Sequence, residues 1–122
     1  MKDDKIMSLR ACKYSDLAKN VKVFNIDAME YHLWIYLDPE DVRGAYFNEA
    51  KEIGENSECK TIYPDTFVRE STCWIRVNIG YLNSNIGKHI IKLSFVDKMT
   101  DTDFSLYVSY YITNDNPDQP YV

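Results

Sequence analysis

The sequence is poor in the residues that usually betray an enzyme. It has three cysteines, two histidines and four glycines, and none of them falls into a motif. There is no CxxC, no HExxH and no G-x-S-x-G, and Gly44, Gly54, Gly80 and Gly87 are too scattered to cradle a phosphate. Cys12, Cys59 and Cys73 are odd in number and widely spaced, so they form no disulfide framework, with a Cys59–Cys73 bridge left open. No run approaches the ~18 apolar residues that a membrane helix needs. The opening stretch MKDDKIMSLRACKYSDL places Asp3 and Asp4 where a secretory leader carries positive charge, and no apolar segment follows. The chain therefore reads as unexported, with a cytoplasmic or virion-associated location favoured over secretion.

Positive charge is also scarce. Lys and Arg total 14 against 19 Asp and Glu, for a net charge of −5. General nucleic-acid binding needs a basic stripe that displaces counterions from phosphates, and docking on anionic lipid needs the same. Neither nucleic acid nor membrane is expected as a partner, and no motif calls for a cofactor.

What is present is a chain of 122 residues, 45% of them hydrophobic, enough for one domain with a core of its own. Residues 1–113 read as that domain. The last stretch, NDNPDQPYV, has two prolines among amides and acids, and reads as an extended tail over 114–122.

The body reads as strands, and the fold class as mostly β. Candidate strands are Val21 to Asp27, Tyr31 to Leu37, Cys73 to Ile79, Lys88 to Val96 and Phe104 to Ile112, rich in the β-branched and aromatic residues that strands favour. The third alternates cleanly: Cys73, Ile75, Val77 and Ile79 on one face, Trp74, Arg76 and Asn78 on the other. Residues 45–53, in AYFNEAKEIG, fit one short helix ending at Gly54 or a strand, and the strand is favoured. Thr61 to Val68 reads as extended, with Pro64 pointing to an edge or bulge.

Between two of these strands lies GYLNSNIGKHII, Gly80 to Ile91. It resembles the crossover into strand F of immunoglobulin-like sandwiches, where a Leu, a few polar residues and a Gly precede a Tyr that bonds back to nearby backbone. Leu82 and Gly87 fit, and His89 stands in place of the Tyr with an imidazole able to donate a similar bond. The resemblance implies an immunoglobulin-like antiparallel β-sandwich. In it, Val21–Asp27 would be strand B, Tyr31–Leu37 C, Cys73–Ile79 E, Lys88–Val96 F and Phe104–Ile112 G. Strands C, F and G would then share one sheet.

On that mapping the outer C–F–G face carries the candidate binding residues Trp34, Tyr36, Ile90, Lys92, Tyr107 and Tyr111. Which half of strand C faces outward, His32/Trp34/Tyr36 or Leu33/Ile35/Leu37, stays open. An aromatic patch with a polar rim suits a protein partner or a second copy. Exposed Trp34, Tyr36, Trp74 or Tyr111 would also suit stacking on a sugar. The loops at one end would bring together Asp27, Glu30, Asp97, Asp101 and Asp103, a weak oxygen-ligand set for Ca²⁺. Catalysis is not expected: His32 sits in a strand, His89 at a corner, and no nucleophile clusters with either.

The expected function is a non-catalytic interaction or assembly module, homo-oligomeric and acidic. General resemblance suggests a virus or phage structural or accessory protein. The alternatives are a secreted or surface module that binds carbohydrate or protein, and a small hydrolase.

Overall fold

The computed structural model describes residues 7–25, 32–53, 59–62, 64–69, 72–78 and 85–114. Among the described residues nine strands follow one another: β1 (Met7–Arg10), β2 (Lys22–Asn25), β3 (His32–Leu37), β4 (Ala45–Ile53), β5 (Cys59–Ile62), β6 (Asp65–Arg69), β7 (Thr72–Asn78), β8 (Gly87–Asp97) and β9 (Asp103–Thr113). A 3₁₀ helix (Tyr14–Lys19) and a four-residue helix α1 (Pro39–Val42) are the helical elements among the described residues.

The strands form two sheets. Sheet A has the order β1-β3-β7-β6, and sheet B the order β2-β9-β8-β4-β5. Leu9, Leu33, Ile35, Ile75 and Val77 from sheet A join Ala50, Ile91, Leu93, Val108 and Ile112 from sheet B in one buried cluster. The fold is thus a mostly β two-sheet sandwich. Full burial of one such aliphatic side chain is worth about 1.5–3 kcal/mol, which is why each sheet must keep its inward register.

Sheet A settles the orientation of β3. Leu33, Ile35 and Leu37 are completely buried and His32, Trp34 and Tyr36 half-buried on the other side. The antiparallel partner β7 matches this residue for residue: Leu33 faces Val77, Ile35 faces Ile75, Trp34 faces Arg76 and Tyr36 faces Trp74.

One expectation needs correction. Tyr31–Leu37 does not share a sheet with Lys88–Val96 and Phe104–Ile112: β3 lies in sheet A, while β8 and β9 pair in sheet B. The alternation of β3 specifies which face is buried but not which neighbour it pairs with. At 45–53 the favoured strand is found and the alternative of a short helix is not. That stretch is β4, antiparallel to β8, and the helix lies just before it. Asp38 caps that helix by accepting a hydrogen bond from the Glu40 amide at 2.9 Å, and Pro39 occupies its first turn. Gly44, with φ of +72°, then turns the chain into β4.

A register shift between Phe47 and Glu49 interrupts β4. One extra residue in a strand exchanges its faces. Before it Ala45 and Phe47 pack on the core; after it Ala50 and Glu52 do. The broken alternation is why a helix also fits this stretch in the sequence.

Two strand pairs are parallel: β1 with β3, and β2 with β9. The N-terminal segment links the sheets. After β1 the chain leaves sheet A, Cys12 bridges to Tyr107 on β9, and the 3₁₀ helix leads into β2 in sheet B. Of the expected tail over 114–122, Asn114 is described; 115–122 lie outside the described residues.

Candidate binding face

The outer face of sheet A concentrates large aromatic groups. Trp34 and Trp74 meet edge to face at 6.1 Å, and Trp74 meets Tyr36 at 5.1 Å. The cross-strand register of β3 and β7 dictates this, because Tyr36 and Trp74 are direct partners and Trp34 is the diagonal neighbour. A cation lies over each end of the row: the Arg76 guanidinium is 5.7 Å from the Trp34 ring, and that of Arg10 is 5.5 Å from the Tyr36 ring. Guanidinium over an aromatic face is an attractive arrangement worth roughly 0.5–1 kcal/mol at an exposed site. Arg10 is also tied to Asp38 at 2.6 Å, which fixes its position at the rim. The result is a row of three half-buried rings between two arginines.

The candidate binding residues do not form one surface. Trp34 and Tyr36 lie on the outer face of sheet A, whereas Ile90, Lys92, Tyr107 and Tyr111 lie on that of sheet B. Part of the sheet B face is covered by its own chain: the 3₁₀ helix packs on β9, and Tyr14 meets Tyr107 edge to face at 5.1 Å. Tyr111 is 42% exposed. Arg10 on β1 is the residue of the sheet A row that the expected strands leave out. Its signal was present in the alternation of Met7, Leu9 and Ala11, all buried.

The acidic set does not converge either. Asp27 and Glu30 lie outside the described residues. Asn25, the last described residue before them, pairs with Thr113 at one end of β9, and Asp103 begins the other end. Asp97 spends its carboxylate on the β8–β9 turn: Oδ1 accepts from the amides of Met99 at 2.8 Å and Thr100 at 3.3 Å. No group of three metal-ligating side chains occurs among the described residues. No helix among them is long and apolar enough to cross a membrane.

His89 takes the place expected of the corner residue. Its Nε2 donates to the Asn85 carbonyl at 2.6 Å, a bond to backbone four residues upstream. Its Nδ1 is 2.8 Å from Glu52 Oε2, and its ring stacks on Tyr110 at 5.1 Å. His89 and Glu52 are both buried. Burial opposes the charged imidazolium, but the bonds to Glu52 and the Asn85 carbonyl and the charge of Glu52 outweigh it, so the pKa of His89 is raised. Both imidazole nitrogens are thus engaged within the protein. Glu52 was not foreseen: a charged residue at an inward strand position carries no periodic signal.

The described cysteines Cys12 and Cys73 are free thiols. Burial pushes both up from the ordinary thiol range, which disfavours the thiolate.

No family model, no curated protein and no solved structure matches this chain.

Proposed function

We propose that the protein is a non-catalytic interaction module that engages a protein partner, including a second copy of itself, through the outer face of sheet A. The observation that carries this reading is the row Trp34–Trp74–Tyr36 between Arg10 and Arg76. Trp, Tyr and Arg are the residues that dominate protein interfaces, because they bring large contact area at low entropic cost. The raised thiols and the doubly bonded His89 favour binding over catalysis. A sugar would need a ring face open for stacking; here the ring faces at both ends of the row lie under guanidinium groups.

We also infer an immunoglobulin-like arrangement in which strands B and C each move one strand along the chain and E, F and G stay where the sequence pattern puts them. The order β1-β3-β7-β6 corresponds to A-B-E-D, and β9-β8-β4-β5 to G-F-C-C′. Strand B is then β3 and strand C is β4. The parallel pairing of β1 with β3 departs from the antiparallel sheets of that fold.

The test is solution mass by light scattering over a wide concentration range, for the native chain and for Trp34→Glu. Self-assembly through this face predicts a native mass rising above 14.3 kDa and a variant that stays there. Equal masses for both at every concentration would contradict it.

A further inference from the structure

Beside the aromatic row runs an open groove of about 380 Å³, lined by Ser8, Arg10, Lys19, Lys22, Tyr36 and Trp74 among others. Its ionisable lining is one-sided. Arg10, Lys19 and Lys22 are exposed cations, and no carboxylate lines it among the described residues. This is the reverse of the molecule as a whole, whose net charge is −5. The neighbouring depression, which shares Arg10 and Lys19, contains Asp16, Asp38 and Asp41. Arg10 is held by Asp38 from that neighbouring depression, so Lys19 and Lys22 are the cations that the first groove offers most directly.

We propose that this groove receives an extended acidic segment of a partner protein. The inference rests on the interaction reading of the sheet A face and specifies the chemistry of its partner. Three features define the occupant. The cations select carboxylates by charge complementarity. Tyr36 and Trp74 supply apolar walls for side chains on the segment's other face. The groove spans from residues 19–22 and β1, the edge strand of sheet A, to Tyr36 on β3 and Trp74 on β7, a reach that suits an extended segment rather than a single side chain. A long nucleic acid is disfavoured against a short acidic segment, because the phosphates it carries beyond the groove meet a surface of net charge −5.

The test is fluorescence anisotropy with three short labelled probes: a peptide of alternating glutamate and threonine, its glutamine analogue, and a single-stranded oligonucleotide. The acidic peptide is expected to bind at least about tenfold more tightly than the glutamine analogue, and to weaken as salt rises towards about 0.3 M. Lys19→Gln combined with Lys22→Gln alters exposed side chains only, and is expected to erase most of that preference. Equal binding of the two peptides overturns the proposal, as does an oligonucleotide that outcompetes the acidic peptide. If the acidic peptide fails while Trp34→Glu still abolishes self-association, the groove assignment falls and the sheet A face stands. If Trp34→Glu changes nothing in either assay, the face itself falls.

Discussion

Glu52 and His89 form an ion pair inside the sandwich, with Oε2 and Nδ1 2.8 Å apart and both side chains under a tenth exposed. The pair joins the inward faces of β4 and β8, and the other imidazole nitrogen holds the Asn85 carbonyl. Removing one partner of such a pair strands a buried charge, so His89→Asn or Glu52→Gln should each cost about 3–5 kcal/mol in chemical denaturation. The double substitution should cost less than the sum.

The same pair sets a pH dependence. Folding raises the pKa of His89 above its ordinary 6.5. The stabilisation is therefore complete below about pH 6.5 and is lost as pH rises through the higher folded-state value. Unfolding free energy measured from about pH 6 to about pH 9 should fall, and His89→Asn should flatten that fall.

Tyr110 is wholly buried, and its hydroxyl has no hydrogen-bond partner among the described residues; the same holds for the Ser109 hydroxyl. Burial, reinforced by the charge of Glu52, pushes the phenol above its ordinary range. An unsatisfied buried hydroxyl costs about 1–3 kcal/mol. Tyr110→Phe and Ser109→Ala should therefore match or exceed the native Tm, read by calorimetry, although most core substitutions lower it.

The two faces of β3 should respond differently to truncation. Ile35→Ala removes a completely buried side chain and should cost about 2–5 kcal/mol. Trp34→Ala, on the half-buried outer face, should cost less in denaturation while abolishing self-association in light scattering.

Calcium should leave the Tm unchanged at about a hundredfold excess over any weak site, because the Asp97 carboxylate already caps the β8–β9 turn. Asp97→Ala should lower stability by about 1 kcal/mol with or without the ion.

Much of the fold is legible in the sequence because alternation survives in it. In β8 and β9 the expected sets His89, Ile91, Leu93 and Phe95, and Leu106, Val108, Tyr110 and Ile112, are buried, with Val96 and Ser109 buried besides; in β7 Ile75 and Val77 are buried, and Ile79 lies outside the described residues. β4 is not legible, because the shift at Phe47/Glu49 breaks its period. Partnership is the other blind spot. Nothing local in HLWIYL distinguishes pairing with β7 from pairing with β8, so one aromatic surface was expected where the structure has two faces on opposite sheets. Trp34 and Tyr36 were visible as candidates. Arg10 and Lys22 reach the same region through β1 and β2, whose parallel pairings join segments remote in sequence. Glu52 stayed hidden because its partner, His89, lies 37 residues away.

The most direct measurement is tryptophan emission. The chain has two tryptophans, Trp34 and Trp74, and both lie in the outer row of sheet A. Emission and acrylamide quenching should be followed from dilute to concentrated protein, and on addition of the acidic peptide. Burial of this face in a complex predicts a blue shift and protection from the quencher that track the rise in mass or the peptide titration. Association with emission and quenching unchanged throughout would contradict it.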